Sequence, residues 1–204
     1  MTFRFMCGAV ICALGLFMTP RIHAGPGEVD PSFSVPYGRF NNEPTELVEQ
    51  ADGRLLVAGS FDEVDGQSRR RIVRLMPDGA VDASFTNLPA GANNSIKAVA
   101  VDSQGRVIIG GEFTSAGSAL FNRIDMLNSN GTLNTDFFPG TGPNAMVEAL
   151  AVQSDDKILV AGMFTNFSGQ ACQNIVRLLP NGDRDPSFSL NQGLSPFSID
   201  ALAV

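Results

Sequence analysis

The sequence predicts an all-β fold of stacked four-stranded antiparallel sheets, and three observations carry that reading. The stretch from Ile72 to Phe85 (IVRLMPDGAVDASF) returns at Ile124 to Phe137 and again at Ile175 to Phe188. Short, β-branched apolar runs lie between Asp-Gly and Asn-Gly turn signals. No stretch carries the 3.6-residue periodicity of a helix. The closing residues Phe85, Phe137 and Phe188, with Phe33 of a partial copy (Gly27 to Phe33) ahead of them, are spaced 52, 52 and 51 apart. Self-similarity at a fixed period of this size marks a repeat architecture.

Within each unit the first hairpin covers Leu47 to Phe61, Val99 to Phe113 or Leu150 to Phe164. Its turn is centred on Asp52-Gly53, Gln104-Gly105 or Asp155-Asp156, and glycine there supplies the positive φ of a tight turn. Asp156 tolerates that region better than most residues, at the cost of some strain. The runs Leu55-Leu56-Val57, Val107-Ile108-Ile109 and Ile158-Leu159-Val160 are continuously apolar, which predicts strands covered on both faces. The small pairs Ala58-Gly59, Gly110-Gly111 and Ala161-Gly162 predict close approach of a neighbouring sheet.

A variable loop follows (Asp62 to Arg71, Thr114 to Arg123, Thr165 to Asn174), and then a third strand at Ile72, Ile124 or Ile175. Pro77-Asp78-Gly79, Ser129-Asn130-Gly131 and Pro180-Asn181-Gly182 predict two-residue turns into an antiparallel fourth strand. That strand ends at Asp-x-Ser-Phe (Asp82 to Phe85, Asp185 to Phe188), softened to Asn134 to Phe137 in the middle copy. The short polar side chain is expected to fold back on local amides while the phenylalanine turns inward.

One such sheet cannot bury two apolar faces alone, so units must stack, and radial stacking gives a β-propeller-like array of four-stranded blades. The boundaries are 34–85, 86–137 and 138–188, with partial units 25–33 and 189–204, inside a repeat domain 25–204. Three complete blades plus partial ones leave the ring incomplete. The expectation is a fragment, or the truncated product of a longer gene, with two open apolar blade faces that favour self-association. Ile199 to Val204 matches Val147 to Val152 and is expected to begin another first strand.

The hairpin pattern ending in G-[RK]-[ILV]-[LI]-[VI]-x-G-x-F, followed by I-V-R-L-x-x-[DN]-G and D-x-S-F, resembles the delta-60 repeat of bacterial secreted and surface proteins. The resemblance spans Gly27 to Val204. It implies a β-propeller-like fold and an extracytoplasmic location, and brings no catalytic residue with it. Asp156, Asp125 and Met126 depart from the pattern.

Residues 1–24 read as a secretory signal peptide, with Arg4 ahead of the apolar run Phe5 to Met18 and cleavage after Ala24. The run is shorter than the roughly 20 residues that span a bilayer; an uncleaved anchor is the alternative. Loss of Arg4 and Arg21 takes the net charge from −7 to −9. An acidic chain of this kind is a poor partner for nucleic acid or anionic membrane surfaces. Cys7 and Cys12 leave with the signal, so Cys172 has no internal partner for a disulfide. The lone histidine, His23, leaves too, which removes Ser-His-Asp and Cys-His catalysis and most zinc or copper sites.

Carboxylates are the remaining catalytic candidates. Glu112 stands where the other copies have Ser60 and Met163, so the repeat does not demand it. Asp62, Glu63 and Asp65 could hold a hard cation such as calcium, although their spacing does not match a calcium loop and a solvated acidic loop is the simpler reading. Asp183 and Asp185 form a weaker pair. Gly110-Gly111 and Gly140-Thr141-Gly142 lack the continuation of a phosphate loop, and no cofactor or metal is predicted. Asn93-Asn94-Ser95, Asn130-Gly131-Thr132 and Asn166-Phe167-Ser168 match glycosylation acceptors but read better as turns. Arg69-Arg70-Arg71 is a short basic run, read as a solvated strand edge.

The expected function is a non-enzymatic secreted or cell-surface module, acting as a scaffold or displaying its variable loops to an extracellular protein or carbohydrate. The alternative is a carboxylate-based carbohydrate hydrolase or lyase, which needs two convergent carboxylates about 5–10 Å apart.

Overall fold

Each repeat folds into the same antiparallel ladder, with its strands in chain order. The computed structural model describes residues 39–86, 91–116, 123–189 and 199–202, all within one compact unit, Phe33–Val204. The first repeat contributes β1 (Pro44–Glu49), β2 (Leu55–Gly59), β3 (Glu63–Val64), β4 (Gln67–Ser68) and β5 (Ile72–Leu75). The second contributes β6 (Ile96–Val101), β7 (Val107–Gly111) and β8 (Ile124–Leu127). The third contributes β9 (Val147–Val152), β10 (Ile158–Gly162), β11 (Asn166–Phe167), β12 (Gln170–Ala171) and β13 (Ile175–Leu178). The three sheets run β1-β2-β5, β6-β7-β8 and β9-β10-β13. The first strands lie side by side, β1 against β6 and β6 against β9, so the sheets fan from a common inner edge as an open array.

The central strands are covered on both faces, as their unbroken apolar runs require. In β7, Ile108 faces the third sheet, whereas Val107 and Ile109 face the first. Leu56, Ala58, Ile72 and Phe85 of the first sheet pack on Ile96, Val99 and Phe113 of the second. Ile108, Ile124, Met126 and Phe137 then repeat that contact with Val147, Ile158 and Phe164 of the third. Phe61, Phe113 and Phe164 are fully buried, and each contributes roughly 2–3 kcal/mol by leaving water. The outer face of the first sheet, expected to be open, is buried as well: Val57, Phe61, Val64, Val73 and Leu75 form a third cluster, and Phe40 packs tilted against Phe61 with ring centres 4.9 Å apart.

Other expectations are corrected as well. The turns hold three residues rather than two. Met76 N donates to Ala80 O (2.7 Å) and Gly79 N to Met76 O (2.8 Å), leaving Pro77, Asp78 and Gly79 in the loop with Gly79 at φ +87°. This is a type I turn closed by a left-handed residue, the usual three-residue hairpin, and Asp-Gly suits it as well as the two-residue form. The same pair of bonds closes the loops at Gly53, Gly105, Gly131, Asp156 and Gly182.

The fourth strand is a single rung. Only Leu75↔Val81, Leu127↔Leu133 and Leu178↔Arg184 bridge back to the third strands. The next residue, Asp82 or Asp185, bends the chain away by accepting the amide and hydroxyl of the serine two positions on. Described sheets are therefore three-stranded ladders with a one-residue fourth member. The hydrogen-bonding side chain outcompetes further ladder pairing.

The small pairs divide their work. A Cβ on Gly110 would sit 2.5 Å from Val147 Cγ1, which is the predicted approach of the neighbouring sheet. A Cβ on Gly111 would instead collide with Ser95 O of the same sheet. There the register of β6 slips by one residue between Ile96 and Ala98, and the bulge pushes its backbone onto β7.

The variable loops also hold structure that their composition did not announce, the short hairpins β3-β4 and β11-β12. Ile199–Leu202, the described part of the segment expected to begin a further first strand, forms no strand. The expected signal peptide, 1–24, and the partial copy 25–33 lie outside the described residues.

Candidate functional site

Two equivalent clefts lie where a variable hairpin meets the outer turn of its own sheet. The first, about 370 Å³, is lined by Arg39, Val64, Asp65, Gln67 and the turn Asp78 to Val81. Arg39 crosses it almost fully buried, pairing with Asp65 at 3.1 Å and donating to Gly79 O. The second, about 220 Å³, lies between Phe138-Pro139-Gly140, Phe167, Ser168 and Gln170, and the turn Gly182 to Arg184. Ser168 ties the preceding segment to the hairpin, donating to Pro139 O and accepting from Gly142 N at 3.1 Å. Arg184 donates to Gln170 Oε1 and Ala171 O, both at 3.3 Å.

The carboxylates singled out in the sequence do not gather. Asp62 pairs with Arg71 (3.3 Å) and Asp65 with Arg39, while Glu63 is exposed on β3. Among the described residues no three acidic, histidine or cysteine side chains converge on a point that could hold a metal. Glu112 is half-buried with Lys97 Nζ at 3.8 Å. Asp183 lines the second cleft, whereas Asp185 is bound into the turn that ends its repeat. Cys172 is half-buried against the second core, and burial pushes its thiol pKa up, against a smaller opposing pull from Arg184; a thiol held protonated is a poor nucleophile.

The basic run does not form a patch. Arg69 donates to Ser68 O and Gln67 Oε1, the side chain of Arg70 lies over Gly91, and Arg71 reaches Ser60 O and Asp62. Arg71 takes φ +68°, matched by Arg123 (φ +68°) and Asn174 (φ +62°), so the left-handed entry to the third strand is a property of the repeat.

The Asp-x-Ser-Phe ending is a structural unit, and larger than its motif. Asp82 Oδ1 accepts from Ser84 N (2.9 Å) and Oγ (2.6 Å), and Oδ2 accepts from Arg74 Nε (2.8 Å). The Arg74 guanidinium lies 4.8 Å from the centre of the Phe85 ring. Arg177, Asp185, Ser187 and Phe188 repeat the arrangement, with the guanidinium 4.9 Å from the ring. Burial raises the Asp82 pKa, but the bonds from Ser84 and Arg74 outweigh it and hold the carboxyl below its ordinary value. For Asp185 the Ser187 hydroxyl and amide lead, helped by Arg177, in the same direction.

The middle repeat drops both charges, with Met126 for the arginine and Asn134 for the aspartate. Arg106 turns instead to Asp102, Nε to Oδ2 at 2.5 Å. This repeat also buries Asp125 completely, where Val73 and Val176 stand in its neighbours. Asp125 faces Ile109 on the adjoining strand; Oδ1 accepts Met126 N at 2.8 Å and Oδ2 has no hydrogen-bond partner. Burial pushes its pKa up to about 7, against the single opposing bond from Met126 N.

Sequence reasoning missed a third recurring position. Asn41 Oδ1 accepts Asp62 N and Glu63 N, each at 2.9 Å. Asn93 does the same for Thr114 N and Ser115 N, and Asn144 for Thr165 N and Asn166 N. The side-chain amides of Asn93 and Asn144 also donate to Thr114 and Thr165 hydroxyls. Asn93, read as a glycosylation match or a turn residue, is thus committed at both ends of its amide. The signal was present: 41, 93 and 144 keep the 52 and 51 intervals of the phenylalanines.

No curated protein matches the chain in a sequence comparison. A family model described as a domain of unknown function (DUF5122) beta-propeller matches residues 50–85, 103–137 and 153–188, just over half of the chain. Each matched segment starts in the first hairpin of a repeat and stops on its closing phenylalanine. The three repeats therefore place this chain in the DUF5122 beta-propeller family.

Proposed function

We propose that the chain is a non-enzymatic, extracytoplasmic module of a bacterial secreted or surface protein, whose variable loops recognise a protein or carbohydrate partner on an invariant β-propeller scaffold. The observation that carries this reading is the division between repeated and divergent residues. The asparagine caps, the turn-closing residues and two of the three Arg-Asp-Ser-Phe endings recur and are internally bonded. The two clefts occupy equivalent places yet have different linings. Arg39, Asp65 and Asp78 line one, and Phe138, Ser168 and Arg184 line the other. Location rests on Arg4 and the apolar run Phe5 to Met18. Self-association is supported by half-buried Leu159 and Ile175 on the outer side of the third sheet, equivalents of Leu56 and Ile72 that pack against the second.

The test compares the natural chain with a variant in which residues 165–174 are replaced by those of 62–71. Both are applied to immobilised glycans and to surface polysaccharide of the producing cell. Loop-dependent retention, with unchanged circular dichroism and no release of reducing ends, is the expected result. Identical retention of both proteins contradicts loop display, and release of reducing ends contradicts a non-enzymatic module.

A further inference from the structure

We propose that the cleft between Phe138 and Arg184 is a binding subsite for one ring of a neutral saccharide; this deepens the recognition role proposed above and rests on it. Three residues lining the cleft break the repeat. Phe138 stands where the other copies have Thr86 and Ser189, Asp183 where they have Ala80 and Thr132, and Arg184 where they have Val81 and Leu133. The scaffold needs none of them, and Phe138 is far in the chain from the Asp183-Arg184 pair, yet all three line one cleft.

Phe138 is 64 % exposed, whereas its neighbour Phe137 is buried. Packing gives no reason for a large aromatic there, and its ring lies on the wall of a cleft that also carries Asp183 and Arg184. Its backbone is held in place: Phe138 N donates to Asn181 O at 2.8 Å, and Gly182 packs so closely that a Cβ would lie 2.8 Å from Phe138 C. The ring therefore stands on a fixed base, and binding orders little that was free.

The polar groups suit a polyhydroxy ring. Arg184 forms no ion pair among the described residues; its bonds to Gln170 Oε1 and Ala171 O, both 3.3 Å, go to neutral oxygens. Asp183 keeps acceptor capacity beyond its 2.8 Å bond from Asn181 Nδ2. A sugar ring presents an apolar C–H face, which complements the negative face of an aromatic ring. Its edge carries hydroxyls that donate to a carboxylate and accept from a guanidinium. Because Asp183 and Arg184 are adjacent and opposite in charge, the cleft offers no net attraction to an ion, which favours a neutral ligand. Its volume of about 220 Å³ falls below the roughly 300–1,000 Å³ of pockets for drug-sized ligands, which limits it to a single ring. The equivalent cleft of the first sheet has no aromatic in its lining, and Arg39 is already paired there.

The test is an NMR titration of the mature chain with the methyl glycosides of glucose, galactose, mannose and N-acetylglucosamine, and separately with glucuronate. At least one neutral glycoside should give saturable shifts at Phe138, Gly140, Ser168, Gln170, Asp183 and Arg184. Phe138→Thr and Arg184→Val, which install residues of the other repeats, should each weaken it at least tenfold with the rest of the spectrum unchanged. No saturable shifts, shifts confined to other residues, or undiminished affinity in both variants overturns the subsite. Binding of glucuronate alone overturns the neutral assignment. If the glycosides fail while exchange of residues 165–174 still abolishes retention, the subsite falls and the recognition reading stands.

Discussion

Asp156 binds Ser103 across the boundary between the second and third sheets. Ser103 N donates to Oδ1 at 2.9 Å and Ser103 Oγ to Oδ2 at 2.6 Å. Asp156 occupies the turn position held by Gly53 and Gly105 and keeps their left-handed backbone, at φ +60°. The departure from glycine thus exchanges local strain for a bond between neighbouring hairpins. At the preceding boundary the equivalent residues are Ala51 and Gly105, which cannot form it.

This relationship predicts strong coupling. Ser103→Ala should lower Tm by a few degrees in the natural chain and leave Asp156→Gly unaffected. Asp156→Gly alone should melt near the natural chain, because relief of the left-handed strain offsets the lost bonds. A thermal-denaturation double-mutant cycle checks this, and additive effects of the two substitutions would contradict it.

Asp125 predicts that part of the chain's stability falls as pH rises. Its folded pKa is raised from 3.8 to about 7. Between these values the unfolded chain has released the proton that the folded chain retains, so stability declines from about pH 4 to pH 7 and the loss is complete above it. A rise from 3.8 to about 7 corresponds to at most about 4 kcal/mol. Asp125→Val, the residue at the matching sites Val73 and Val176, should raise stability at pH 8 and flatten this slope. Urea midpoints from pH 4 to pH 8 measure it. An Asp125→Val variant with the slope of the natural chain would count against the assignment.

Asp82 acts in the opposite direction. Its folded pKa lies below its ordinary value, so the stability it contributes is present above about pH 4 and is lost as pH falls through the folded pKa. Asp82→Asn should make acid unfolding less steep. Arg74→Met combined with Asp82→Asn, the pair present as Met126 and Asn134, should cost less than the sum of the single changes, because Asp82→Asn alone leaves the buried Arg74 charge without its carboxylate, whereas Asp82 without Arg74 still has Arg54 Nε at 3.3 Å. Acid titration of the three variants followed by circular dichroism decides it.

The fold was legible where one physical cause fixes one outcome. Unbroken runs such as Val107-Ile108-Ile109 marked strands buried on both faces, and the glycines marked turns. It was not legible where two outcomes share a signal. Asp-Gly serves two-residue and three-residue hairpins equally, and only the Met76 to Ala80 bond separates them. The segment after each turn has strand-like spacing, but the Asp82–Ser84 bonds end the ladder after one rung. The hairpins β3-β4 and β11-β12 are too short to carry a periodicity. Cleft residues were hidden for another reason: Phe138, Asp183 and Arg184 are meaningful only together, and 138 and 184 meet through the three-dimensional path of the chain. Asp183 carries a weak signal by itself, and Phe138 and Arg184 carry none apart from the cleft they line.

Recurring residues hold the scaffold while divergent residues are spared from it, and one set of melts separates the two classes. Asn144→Ala removes the acceptor for Thr165 N and Asn166 N, at a cost of about 1–2 kcal/mol. That should lower Tm by roughly 2–8 °C in a chain of this size, whereas Phe138→Thr and Arg184→Val should each melt within about 1 °C of the natural protein, since surface changes away from packing cost little. A Phe138→Thr protein that melts as early as Asn144→Ala, or an Asn144→Ala protein with unchanged Tm, would contradict the account.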